Sequence, residues 1–260
     1  MQNEIVESQK IEMLESASKS VRKRILKMLA HANKDEIRGG HAGGSLSCVE
    51  IMVALYFERM KGGDRFLLSK GHAAPCLYSV LAEKGLIKED QLTSLRRLGG
   101  LGGHPNFYDP GVDFPSGSLG QLLSVGIGMA LANRDSTIYV LLGDGELQEG
   151  QIWEAAMCAG HYKIHNLVAI VDRNGLQETG LVRDIMDIEP LGDKFRSFGW
   201  NVREADGHDF RQMLGALNTT QADCPTAIIA NTVKGKGVGF MENVVGWHGI
   251  HDAKKLECAI

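Results

Sequence analysis

Apolar residues in this chain fall into two kinds of run, and their order along the sequence sets the architecture. Residues 138–142 (IYVLL) and 167–171 (LVAIV) carry no polar alternation, the pattern of parallel strands covered on both faces. Residues 137–177 read as a strand, a Gly-Asp-Gly turn, a helix, a second strand and a polar Asp-Arg-Asn-Gly exit. That is a βαβ unit with Asp144 and Asn174 at the carboxyl ends of its strands. Elsewhere the spacing is helical. Ile11, Leu14, Val21, Ile25, Met28 and Leu29 predict an amphipathic helix over 11–32. Further helices are expected over 45–60 with Ser45 as N-cap, over 73–84, and over 119–133 with Leu123, Ile127 and Leu131 on one face. Residues 64–71 read as a short buried strand running into a polar turn, and residues 200–204 and 226–233 read as strands. A helix over 209–218 lies between the last two, started by Asp206 or His208. The expectation is an α/β fold, a parallel sheet with helices on both faces.

Composition narrows the class. At 260 residues the chain can bury a sizeable core. A net charge of −4 gives no support for a nucleic-acid or anionic-membrane partner, and no apolar run approaches a membrane span. The acidic, polar start MQNEIVESQKIEMLES is not a signal peptide. Five widely spaced cysteines form no C-x-x-C pair and read mostly as small core residues, so a reducing cytoplasm is expected. Thirty-two glycines, many in short runs, mark tight turns or backbone close to a ligand.

The candidate chemistry sits at the strand ends, where open α/β sheets bind ligands. Neighbouring strands are roughly 5 Å apart, so the Asp144 carboxylate and the Asn174 amide oxygen can share one small cation. Oxygen-only ligation with few protein ligands suits Mg²⁺ carrying phosphate oxygens. A Gly-Asp-Gly turn alone is common and usually structural; the second strand ending in Asn174 makes the combination rarer. No Walker A motif and no G-x-G-x-x-G after a strand is present. His41 lies between two glycine pairs, and His72 lies at a strand-to-helix junction, either touching an anion at the helix start or capping it. His104 sits in a glycine- and proline-rich loop, 98–124, too long to be a mere connection. Lys234 and Lys236 read as solvated rather than as phosphate contacts.

The segment LLGDGELQEGQIWEAAMCAGHYKIHNL resembles transketolase, and five further motifs resemble that family in the same order. GHAGGSL is similar to its G-H-P-G-x-P-L, with Ala42 in place of proline; SKGHA, followed by Leu77 and Tyr78, to its S-x-G-H-A; GGHP to its G-H-P. SGSLGQ (116–121) is similar to its T-G-S-L-G-Q, with Leu122 where a third glycine is usual. WHGIH (247–251) resembles a segment ending in H-x-x-H, with Asp252 in place of glycine. The resemblance implies one thiamine diphosphate-binding domain over 1–260, with Mg²⁺ held by Asp144, Asn174 and the Leu176 carbonyl. It implies cofactor contacts from His72, Ser116, Gly117, Ser118, Leu119, Gly145, Glu146, Asn174 and His251. Substrate and proton roles fall to His41, His104 and His251. Glu149, with Glu154, would link paired sites across a subunit interface.

The implied reaction moves a two-carbon ketol unit from a ketose phosphate to an aldose acceptor. Transketolases are much longer, and their second domain supplies the glutamate and the aromatic residues that hold the aminopyrimidine ring. A second polypeptide, the C-terminal subunit carrying that pyrimidine-binding domain, is therefore expected, in an α₂β₂ assembly. A chain beginning at Met1 and ending without a broken motif is expected to be one subunit of a split enzyme. The alternatives are the α subunit of a 2-oxoacid dehydrogenase or acetoin-type complex, opposed by the G-H-P and SGSLGQ motifs, and a regulatory pseudo-subunit without catalysis.

Overall fold

The computed structural model describes residues 2–34, 39–218, 223–249, 255–256 and 258–259. Five strands, β1 (Arg65–Leu68), β2 (Ile138–Gly143), β3 (Leu167–Arg173), β4 (Asn201–Asp206) and β5 (Thr226–Asn231), form one sheet in the order β1-β2-β3-β5-β4. Every pair is parallel. Parallel neighbours need crossovers, and the chain supplies them as helices.

The unbroken apolar runs have a direct cause. Along β2, Tyr139 and Leu141 enter one core while Ile138, Val140 and Leu142 enter the other. The first core is roofed by α1 (Gln2–Lys34), α2 (Ala42–Leu46), α3 (Val49–Ala54), α4 (Ala74–Glu83) and α9 (Phe210–Leu217). The second is covered by α5 (Leu122–Ala132), α6 (Gly150–His161) and α8 (Leu191–Ser197), with α7 (Val182–Ile185) in the loop after β3.

Three local expectations are corrected. Helix begins at Ala42 rather than at Ser45, and it breaks at Ser47–Cys48 before α3; Ser45 sits inside α2, and its hydroxyl has no partner among the described residues. Asp209, not Asp206 or His208, caps α9, its carboxylate accepting from the Arg211 and Gln212 amides. β5 is also shorter than read, stopping at Asn231, whereas β1 runs into a turn at residues 69–71 as expected.

Candidate active site

The site forms where β2 and β3 end side by side. Gly143 pairs with Asp172 in the ladder, so the loops leaving both strands start at the same level. Asp144 turns its carboxylate across the gap: Oδ2 accepts from the Gly175 amide at 2.5 Å and Oδ1 from the Gly145 amide at 2.7 Å. Asn174 Oδ1 accepts from the Leu176 amide at 3.1 Å. A carboxylate, an amide oxygen and the Leu176 carbonyl thus share one corner. This is an oxygen-only donor set, short of a full shell, of the kind that fits Mg²⁺ completed by phosphate. Burial, followed by the Asp172 charge, pushes the Asp144 carboxyl up to about 6, against the opposing effect of the Gly175 and Gly145 amides and of Lys70.

Beneath that corner lies a buried ion pair. Lys70 and Asp172 are 1% and 0% exposed and touch through Nζ and Oδ2. Lys70 also donates to the Gly44 carbonyl at 2.9 Å, and Asp172 accepts from Ser47 Oγ at 2.6 Å and from the Thr232 hydroxyl. Burial alone would lower the Lys70 ammonium, but the Asp172 charge outweighs it and raises it. Burial would raise Asp172, and Lys70 outweighs that in turn, holding the carboxyl below its ordinary range. The pair ties β1, α2, β3 and the segment after β5 into one platform.

A second lysine faces the corner itself. Lys234, 2% exposed, donates to the Leu176 carbonyl and lies against His248 Nδ1, both at 2.9 Å. Burial, then repulsion from Lys70, lowers its ammonium to about 8. Four imidazoles gather beside it, His248 being the one against Lys234. His41 stands 5.4 Å from His72, 5.1 Å from His248 and 6.1 Å from His104 between ring centroids; His72 and His248 are 5.3 Å apart. Burial, with the His104 and Arg96 charges, lowers His41 to about 4; burial and Lys234 lower His248 to about 3. Burial and Lys70 take His72 well below its ordinary value, and burial and Arg96 lower His104. At neutral pH all four are uncharged bases, and His41 Nδ1 has no partner among the described residues.

Glycine permits this convergence. A Cβ on Gly71 would stand 2.5 Å from Ser116 Oγ and 2.9 Å from the Gly117 nitrogen, so only glycine lets the loop of His72 touch the SGSLGQ loop. The resulting cavity, about 360 Å³, runs from Asp144 and Lys234 to His41 and His104, with Leu119 and Glu149 at its edge.

Residues 18–255 match the family described as transketolase, thiamine diphosphate binding domain. The chain belongs to the transketolase family. It is 39% identical over 267 residues to an apulose-4-phosphate transketolase subunit of Phocaeicola vulgatus, covering 96% of this chain and 93% of that protein. It is 42% identical over 230 residues to a 6-deoxy-6-sulfo-D-fructose transketolase subunit of a Clostridium strain, covering 81% and 83%. The transketolase structure from Campylobacter jejuni superposes with a TM-score of 0.84 at 31% identity, over 92% of this chain and 40% of that one. Human transketolase is 40% identical over 81% of this chain, which matches only 36% of the human protein. The chain therefore spans about two fifths of a full-length transketolase.

Of the transketolase residues expected from sequence, His41, His72, His104, Gly117, Leu119, Asp144, Gly145, Glu146, Glu149, Asn174 and Leu176 all line this one cavity. Ser116 and Ser118 do not. Ser116 is turned against Gly71, and Ser118 accepts from Gln121 at 3.0 Å. His251 and Asp252 lie outside the described residues; in the WHGIH motif it is His248 that reaches the cavity. The Glu146 carboxylate does not face a ligand. It accepts from the Gly120 amide at 2.9 Å, the Gly143 amide at 3.0 Å and the Ser69 hydroxyl, clamping three site loops together. No repulsion from a phosphate arises in that position. Glu149 and Glu154 are exposed. Lys234, which reads from sequence as solvated, is buried in the site. Sequence reasoning also misses Lys70 and Asp172. For Lys70 a signal exists: it occupies the variable position of the S-x-G-H-A motif, and a lysine just after an apolar strand stands at a ligand-binding end.

Proposed function

We propose that the cavity binds thiamine diphosphate with its diphosphate at the Asp144–Asn174 corner, through Mg²⁺ held by Asp144 Oδ, Asn174 Oδ1 and the Leu176 carbonyl. The observation that carries this reading is that those oxygens and the buried Lys234 ammonium line one cavity together with four neutral histidines. The chain is one subunit of a two-chain transketolase, an enzyme that transfers a two-carbon ketol unit from a ketose phosphate to an aldose acceptor. When bound, thiamine diphosphate supplies the carbon nucleophile and the electron sink for C–C cleavage.

The protein's part is positional and protonic. Lys234 offsets phosphate charge, and the Lys70–Asp172 platform fixes the loops beneath it. Gly117 and Leu119 present a flat backbone edge to the ring system. His41, His104 and His248, kept uncharged, accept protons from sugar hydroxyls and return them, His41 through its unpartnered Nδ1. The partner is a C-terminal subunit carrying the pyrimidine-binding domain, in an α₂β₂ assembly in which Glu149 and Glu154 meet a neighbouring subunit. Anionic sugars, phosphorylated or sulfonated as the relatives' names indicate, are the proposed substrates. Cys48, Cys76, Cys158 and Cys258 are free thiols, consistent with a cytoplasmic home, and no described helix is long and apolar enough to cross a membrane. The named relatives are transketolases, which leaves the 2-oxoacid dehydrogenase alternative without support.

The test is Asp144→Ala. It is expected to abolish Mg²⁺-dependent thiamine diphosphate binding, by calorimetry, and ketol transfer in the presence of the partner, while far-UV circular dichroism stays unchanged. Unaltered cofactor affinity in this variant removes the metal assignment.

A further inference from the structure

Lys234 sits in a turn whose two flanks lead back to one carboxylate. On the leading flank, the Val233 amide donates to His208 Nε2 at 2.9 Å, and His208 Nδ1 lies 2.9 Å from Glu50 Oε2. Because Nε2 accepts, Nδ1 carries the proton and donates to Glu50. On the trailing flank, the Lys236 carbonyl accepts from Arg22 Nε at 3.0 Å. Arg22 then grips both oxygens of the same carboxylate, with Nη2 2.7 Å from Oε2 and Nη1 against Oε1. Such a two-pronged guanidinium grip fixes direction as well as distance.

Glu50 is 6% exposed on α3. Burial would push its carboxyl up, but the hydrogen bonds from His208 and Arg22 and the Arg22 charge outweigh burial and hold it below its ordinary range. None of Glu50, Arg22 and His208 lines the cavity that receives Lys234; they border a separate hollow on the other side of the turn. Among the described residues, the network's hydrogen bonds toward the active site run through the backbone of Val233 and Lys236. Three elements converge there: α1 through Arg22, α3 through Glu50 and the β4–α9 corner through His208.

We propose that Glu50 is a positioning residue for the diphosphate end of the site: acting through His208 and Arg22, it holds the 233–236 turn from both sides and so sets where the Lys234 ammonium points. This rests on the reading of that end as the diphosphate site. A lysine side chain has several rotatable bonds and gains little from an acceptor unless its backbone is fixed. A turn anchored at both ends by one buried charge supplies that fixation without a contact to ligand.

A double-mutant cycle on the full chain tests it, with thiamine diphosphate and Mg²⁺ as probe and calorimetric affinity as readout. Glu50→Gln keeps the shape and removes the charge, and is expected to weaken binding about tenfold; Lys234→Met is expected to weaken it by at least as much. The combined variant is expected to bind no more weakly than Lys234→Met alone, because Glu50 acts only through Lys234. Amide exchange of Val233 is expected to quicken in Glu50→Gln. Should that variant not fold, His208→Leu breaks one flank only and enters the same cycle. Losses that multiply in the double variant, or a Glu50→Gln chain that binds as the wild type does, overturn this proposal alone. A wild-type chain that binds no thiamine diphosphate overturns the functional reading and this proposal with it.

Discussion

Charge burial is the dominant energetic fact at the level of single residues. Lys70 and Asp172 are held out of water, so removing one partner strands the other. Lys70→Met is expected to cost about 3–5 kcal/mol in urea unfolding, whereas Lys70→Met with Asp172→Asn, which removes both charges, is expected to recover most of that loss. The histidines set the acid limb of stability. His41 and His248 have folded-state values of about 4 and 3, and His72 and His104 are lowered as well. The unfolded chain therefore takes protons first, near 6.5. Their contribution is present above about pH 6.5 and is lost as pH falls toward 4. Asp144, raised to about 6, works the other way, gaining as pH falls through that value, and so does the raised Glu146. Four histidines against three raised carboxylates, Asp113 being the third, leave a net loss. Melting temperature is expected to fall between pH 6.5 and 4, with a flatter profile in His41→Asn/His248→Asn; a Tm flat across that window contradicts the assignment. Sequence makes the histidines visible because glycine and proline frame them. It hides Lys234, because a lysine between Val233 and Gly235 at the start of a glycine-rich loop carries no local sign that β5 delivers it into a buried corner.

The elements themselves are legible wherever burial is two-sided. β2 and β3 read correctly from runs of apolar residues, and β5 overruns its true end at Asn231 because Thr232 and Val233 continue the pattern. What sequence misses is the interruption between α2 and α3 at Ser47–Cys48. Close packing between elements is equally silent in sequence. Gly160, near the end of α6, faces the turn after α8, where an added Cβ would lie 1.8 Å from the Phe198 carbonyl oxygen. Gly215, inside α9, has nothing within 4 Å of such a Cβ. Gly160→Ala must push the two elements apart and is expected to destabilise by about 1–3 kcal/mol. Gly215→Ala is expected to stabilise by about 0.5–1 kcal/mol, since it only removes backbone freedom from a helix interior. Denaturant midpoints of the two variants should move in opposite directions; a shared direction would mean that helix propensity, not packing, governs both sites.

At the scale of the whole molecule, the cavity reaches the surface residues Leu119 and Glu149, both of which line it and are exposed. The surface running away from them is apolar for an exposed one. Leu119 is 36% exposed, Leu131 on α5 42% and Met157 on α6 57%, with Glu154 one turn before Met157. α5 and α6 pack against each other, so their outer sides form one continuous face beside Leu119 and Glu149. In a two-chain transketolase that face is where a neighbouring subunit would close the cavity, bringing Glu149 and Glu154 out of water. Met157→Glu places a charge in the middle of it. Because Met157 contributes little to the core of its own chain, the variant is expected to stay within about 1 kcal/mol of the wild type in stability. A charge desolvated in an interface without a partner is costly, so assembly with the C-terminal subunit is expected to weaken at least tenfold by native mass spectrometry, and ketol transfer to fall in proportion. Activity restored at high subunit concentration would show that the lesion lies in association rather than in the chemistry. An assembly of unchanged mass and affinity would move the interface away from α6, and with it the linking role proposed for Glu154.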